Sequence, residues 1–310
     1  MSALAGRIVH QFDDTPVGGA AVKFGAFPAV TSGADGSFVV PGDPTTSLLA
    51  LTITRSGFVP RKTKARSGNS LLGLVPSTFD MIAYDDTARQ ESGTTTQRWV
   101  SHPTVYVDSR PEGFQHADMP KWVQEAVDFA PYFVERWSKG AVRVADVIVT
   151  DRPPADLSSG TIVIHFSTNS ADYGGYSTAI GYCRRSTLSN RTIVGAAVWS
   201  KARSYVTNPS KRRGILAHEF GHAMGFGHMN GTRQPSMMLP SIGSKTDLKP
   251  FDMLVGDLHY NREPGTASPD TYGGTTSPTP KPPKKRRGAA PRRGQDIGGQ
   301  RTAIREWVCG

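Results

Sequence analysis

The sequence predicts an α+β protein with two folded modules: a small N-terminal β-sandwich, then a larger domain of strands and helices. Three observations carry that prediction. A chain of 310 residues with 37% hydrophobic and 20% charged content is long enough for two cores and too apolar to be wholly disordered. Its 33 glycines and 23 prolines favour many short strands and loops over a helical bundle. The apolar spacing also changes along the chain, from short β-branched runs before Tyr84 to a long helical repeat after Met119.

In the first module the strand-like runs are Arg7-Ile8-Val9, Ala21 to Phe24, Ser37 to Val40, Leu49 to Thr54 and Phe79 to Ala83. Asp35-Gly36 is a tight-turn dipeptide between two of them, and Gly57 follows the run that ends at Thr54. Residues 86–97 are polar and aperiodic, as a linker is. The predicted modules are thus residues 1–85 and 98–265. The second begins with a strand (Thr104 to Val107) and a helix (Met119 to Trp137). Strands follow at Val144 to Val149, Gly160 to Phe166, Ala179 to Cys183 and Ile193 to Trp199. In the helix, Trp122, Ala126, Phe129, Phe133 and Trp137 share one broad apolar face, and Pro131 predicts a kink.

Charge separates the last segment from the rest. The net charge is +10, and residues 266–310 hold nine Lys or Arg against three acidic residues, so that segment carries +6 of it. Its Gly, Ser and Pro run passes into Lys284-Lys285-Arg286-Arg287, a composition that cannot bury a core and is expected to be a disordered basic tail. Such blocks are usually solvated, so nucleic acid is not the expected partner. Cys183 and Cys309 cannot supply a disulfide framework. No apolar run reaches the roughly 20 residues of a membrane span, and Met1 to Gly6 lacks the regions of a signal peptide. A monomer without a membrane span is expected.

The chemistry concentrates in Lys211 to His228, KRRGILAHEFGHAMGFGH, which contains HExxHxxGxxH. On a helix, His218 and His222 project from one face, one turn apart, and can bind the same ion. Glu219 lies beside the first ligand, placed to take a proton from a bound water. Gly225 can adopt the left-handed conformation that ends a helix and returns His228 to the metal. Three imidazoles leave a fourth tetrahedral position open, which distinguishes a catalytic zinc site from a closed structural one. With 8 histidines in the chain, chance places this motif in a sequence of this size with probability on the order of 1 in 100,000. His102, His116 and His165 stand alone and read as structural or solvated. Asp172-Tyr173-Gly174-Gly175 reads as a turn rather than a calcium loop, so one catalytic Zn2+ is the expected cofactor.

Two resemblances follow from these residues. Gly6, Pro16-Val17-Gly18-Gly19-Ala20-Ala21-Val22 and Asp35-Gly36-Ser37-Phe38 together resemble the carboxypeptidase regulatory-like domains, which are transthyretin-like sandwiches. The extended histidine motif, followed ten residues after His228 by Met238, resembles the metzincin clan of zinc peptidases. Ser236-Met237-Met238-Leu239-Pro240 is most similar to the Met-turn of its matrixin-type members. The resemblance implies a domain of one mixed, twisted sheet and three helices, the final one Asp247 to Tyr260, an extracellular enzyme and Met238 beneath the imidazoles, with Met237 as the alternative. Protein or peptide substrate would then lie extended along an edge strand, here Ser177 to Cys183 with Ala179, Ile180 and Gly181, and Leu239 to Ile242, beginning with Leu239 and Pro240, would wall an apolar pocket. Met229 matches no usual subfamily marker, and Leu239 leaves no tyrosine to serve as a fifth ligand as in astacins. No cysteine precedes the catalytic domain in this sequence, so a cysteine-switch latch of the matrixin kind is not expected. The expected function is zinc-dependent endopeptidase; the alternative is a non-catalytic zinc-containing protein whose sandwich binds a protein or glycan.

Overall fold

The computed structural model describes residues 4–40, 49–65, 68–89, 96–110, 119–155, 157, 160–167, 179–201, 208–231, 233–262, 293–297 and 300–309. They form a mixed structure of four helices and three sheets in two compact units, one up to Ile82 and one from Ala83 onward.

The first unit holds β1 (Leu4–His10), β2 (Ala21–Phe24), β3 (Val30–Thr31), β4 (Ser37–Val40), β5 (Leu49–Thr54), β6 (Arg61–Ala65) and β7 (Gly68–Leu74). One sheet has the order β4-β1-β7 and the other β3-β2-β5-β6. Alternation drives both: along β4, Phe38 and Val40 are buried while Ser37 and Val39 face out. Leu4, Ile8, Phe38 and Leu72 of one sheet join Val22, Phe24, Leu51 and Ile53 of the other in a single core. The Asp35-Gly36 turn has the left-handed φ of 79° at Gly36, and the Asp35 carboxylate accepts from the Ser37 amide and hydroxyl at 3.0 and 2.7 Å.

The second unit contains α1 (Met81–Arg89, which starts in the first), β8 (Thr104–Asp108), α2 (Met119–Trp137), β9 (Asp146–Thr150), β10 (Thr161–Ser167), β11 (Gly181–Thr187) and β12 (Ile193–Lys201). After these come α3 (Pro209–Ala223), α4 (Pro250–Tyr260), β13 (Arg293–Ile297) and β14 (Gln300–Cys309). Its seven-stranded sheet runs β13-β14-β11-β12-β10-β8-β9. β12, β10, β8 and β9 are parallel; β11 runs antiparallel to β12, and β14 antiparallel to β11. The apolar face expected for α2 is buried at Trp122, Ala126, Ala130, Phe133, Val134 and Trp137, and the helix continues through Pro131. The Trp137 indole donates to Ala217 O of α3 at 2.8 Å, and Arg212 pairs with Glu125 through two bonds of 2.6 and 2.7 Å, so α2 and α3 are locked side by side.

Four expectations are corrected. Phe79 to Ala83 is not a strand: Met81 begins α1, giving a fourth helix. The linker expected at residues 86–97 is in part that helix, whose i,i+4 pair Asp85 and Arg89 stand 3.2 Å apart, and Thr96 and Gln97 are buried. The last helix begins at Pro250 rather than Asp247, because proline belongs in a first helical turn. The tail expected to be disordered carries β13 and β14, paired into the main sheet; its residues 266–292 lie outside the described residues. No helix among the described residues is long and apolar enough to cross a membrane.

Candidate metal centre

Residues 208–228 fold into a helix followed by a return. Asn208 caps α3 by accepting from the Ser210 amide at 2.9 Å, and Pro209 takes the first helical position. The helix is buried almost all round, as expected for Ile215, Leu216, Ala217 and Phe220. Its C-terminal end lies inside the protein, where free carbonyls would be costly. Three side chains meet them: Arg185 donates to His222 O, the Trp99 indole to Ala223 O at 2.9 Å and the Tyr260 hydroxyl to Met224 O at 2.7 Å. Arg185 also holds Gln97 Oε1 at 2.8 Å.

Gly225 then has a φ of 118°, a backbone conformation that side chains resist. A Cβ there would also collide with Gln97 O. Two bonds hold the returning loop: the Gly227 amide donates to Thr87 O at 2.7 Å and the Met229 amide to Met238 O at 2.8 Å. His228 is thereby brought back to the helix.

The three Nε2 atoms converge. They stand 3.0 Å apart for His218 and His222, and 3.2 Å from each of these to His228. The other nitrogens of the first two rings face carbonyl oxygens, His218 Nδ1 at 2.7 Å from Met237 O and His222 Nδ1 at 2.9 Å from Phe226 O. A carbonyl only accepts, so each Nδ1 bears the proton and each Nε2 presents a lone pair. Burial pushes the His218 ring down to about 3 and His228 to about 4, and holds His222 well below its ordinary value, with neighbouring imidazoles adding to the effect for His218 and His222. Lone pairs facing one another in a buried site repel unless a cation lies between them. Ligand nitrogens around a tetrahedral ion with bonds of about 2.0–2.1 Å stand roughly 3.3 Å apart, close to the spacing here. His218, His222 and His228 can hold a metal ion, and among the described residues they are the one such group. No protein-family model matches the chain, and no curated protein matches it either.

Beside this tripod, Glu219 is fully buried, and Gly181, first residue of β11, lies so close that a Cβ would collide with its carboxylate. Met237 and Met238 are both buried. The Met238 sulfur lies against Gly221, the residue before the second helical ligand, where a Cβ would strike it, while Met237 offers its carbonyl to His218. This segment is anchored by Asp252 of α4, which accepts from the Ser236 hydroxyl, the Met237 amide (2.8 Å) and the Lys249 amide (2.7 Å). A cavity of about 240 Å³ is lined by Ile180, Lys211, Ile215, Ser241, Ile242 and Gly243. Of the residues expected to meet substrate, Ile180, Ser241 and Ile242 line it, and Ala179, Gly181, Leu239 and Pro240 do not. Nor is β11 an edge strand as expected, since β14 covers its outer side. Residues 177–178 and Asp172 to Gly175, like His116, lie outside the described residues.

Two other histidines expected to be structural or solvated have partners of their own: His102 accepts from the Arg143 amide at 3.1 Å, and His165 pairs with Asp108 at 2.8 Å and stacks on Trp199. Sequence reasoning missed Arg185, Trp99, Tyr260, Asp252 and the role of Gly181. Only Asp252 left a local signal, an acid in the first turn of a helix that opens with Pro250.

Proposed function

We propose that this protein is a zinc-dependent endopeptidase of the metzincin type, with residues 98–265 as its catalytic domain. The observation that carries the reading is a carboxylate, Glu219, buried next to the first of three imidazoles whose Nε2 atoms converge on one place. A metal site with a purely structural role has no need of that acid.

His218, His222 and His228 would hold the ion, which when bound supplies Lewis-acid activation of a water and of the scissile carbonyl. Two backbone carbonyls, Met237 O and Phe226 O, fix the tautomers of His218 and His222 and so keep both Nε2 atoms available. Glu219 takes the proton of the attacking water and passes it to the leaving amine. Gly181 leaves room for that carboxylate at the start of β11. Met238 backs the helix between its two ligands, a reading favoured over Met237 by the sulfur's place against Gly221. The Ile180, Ile215 and Ile242 cavity suits an apolar side chain of the substrate.

The test is cleavage of a peptide library by the wild type and by Glu219→Ala, with zinc content measured on both. The expected outcome is equal zinc and a loss of about 10²–10⁴-fold in kcat/KM, the usual worth of a positioned base. Zinc in both proteins with no cleavage by either would leave a non-catalytic binding protein.

A further inference from the structure

The outer side of β11 is the place where an extended peptide would pair on the way to Glu219, because the inner side belongs to β12. That place is taken by the chain itself. β14 lies antiparallel to β11 in unbroken register from Thr187↔Ala303 to Gly181↔Cys309. The register sets the direction: β14 runs toward the metal centre, and its last residue faces Gly181, the glycine that touches the catalytic glutamate. β13 pairs with β14 only as far as Ala303, so beyond it β11 is the one described strand that holds β14.

We propose that β14 is an autoinhibitory occupant of the substrate edge, held on β11 as a peptide would be and ending at the metal centre. The inference rests on the endopeptidase reading. Antiparallel pairing satisfies the β11 backbone, so an incoming chain gains no ladder bonds until β14 leaves. Tethering raises the effective concentration of such a segment to the order of millimolar, so free peptides compete poorly. The tether is the chain between Arg262 and Arg293, and the site opens when β14 is displaced.

Two variants of the full chain test this, Glu306→Pro and Trp307→Pro. Adjacent strand residues turn their amides to opposite sides, so one of these prolines removes a ladder bond to β11 and the other serves as its control. In the first, hydrogen exchange at the Gly181 to Thr187 amides should quicken, and kcat/KM for a peptide substrate should rise by about tenfold, with metal content unchanged. A synthetic peptide of residues 300–309 should then restore the block competitively. Faster exchange with no gain in cleavage by an active enzyme would overturn the proposal, as would unchanged exchange in both variants. If no protein cleaves, binding of the labelled 300–309 peptide decides separately from catalysis. Binding to the displaced variant and not to the wild type supports an occupied edge and fails the peptidase reading alone; binding to neither overturns the proposal.

Discussion

Gly181 and Glu219 meet at the point where the proposed chemistry occurs, and the contact leaves no space for a single methyl group. Gly181→Ala must therefore push the carboxylate aside while leaving the three histidines in place. A displacement near 1 Å at a catalytic group costs about 10²-fold. We expect Gly181→Ala to keep its zinc and its fold and to lose about that factor in kcat/KM, as measured by zinc content, circular dichroism and peptide cleavage. At this scale the histidines, Glu219 and Gly225 were legible in the sequence because their geometry is local, one helical turn and one reversal. Arg185, Trp99 and Tyr260 were not, because each meets the end of α3 from a distant part of the chain. Nothing in their own neighbourhoods marks them.

The end of α3 turns on Gly225, which needs both its positive φ and its close approach to Gln97 O. Gly225→Ala is expected to cost about 1–3 kcal/mol of stability from the strained backbone alone. It should also weaken zinc binding, because His228 is carried by the chain just after it. Urea unfolding and competition with a zinc chelator measure the two effects, and unchanged zinc affinity would detach the turn from the site. Among the elements, α2 was readable from end to end, since its large apolar residues recur at three and four. α1 was not: Phe79 to Ala83 is too short an apolar run to separate strand from helix, and Asp85, Asp86 and Arg89 made the rest look like linker. The ion pair that supports the helix is visible only once the helix exists.

At the scale of the whole molecule, the least legible feature was β14, because its partner strand lies more than a hundred residues earlier and the composition around it reads as a basic tail. Long-range packing also sets the response to acid. His259 is buried with Nε2 donating to Gln97 O at 2.7 Å, and burial pushes its ring down to about 3. The unfolded chain binds that proton at about pH 6.5, so His259 contributes stability that is fully present above this value and declines as pH falls toward 3. His259→Asn should flatten the dependence of stability on pH between 6 and 4 by about 1.4 kcal/mol per pH unit, the worth of one proton. Urea melts of both proteins across that range measure it, and parallel curves would contradict it. An open metal site made by three histidines is tested most directly by X-ray absorption at the zinc edge of the full chain. Three nitrogens and one oxygen, all at about 2.0–2.1 Å from one ion per chain, are expected; a sulfur at about 2.3 Å, a fourth histidine nitrogen, or no stoichiometric ion would contradict it.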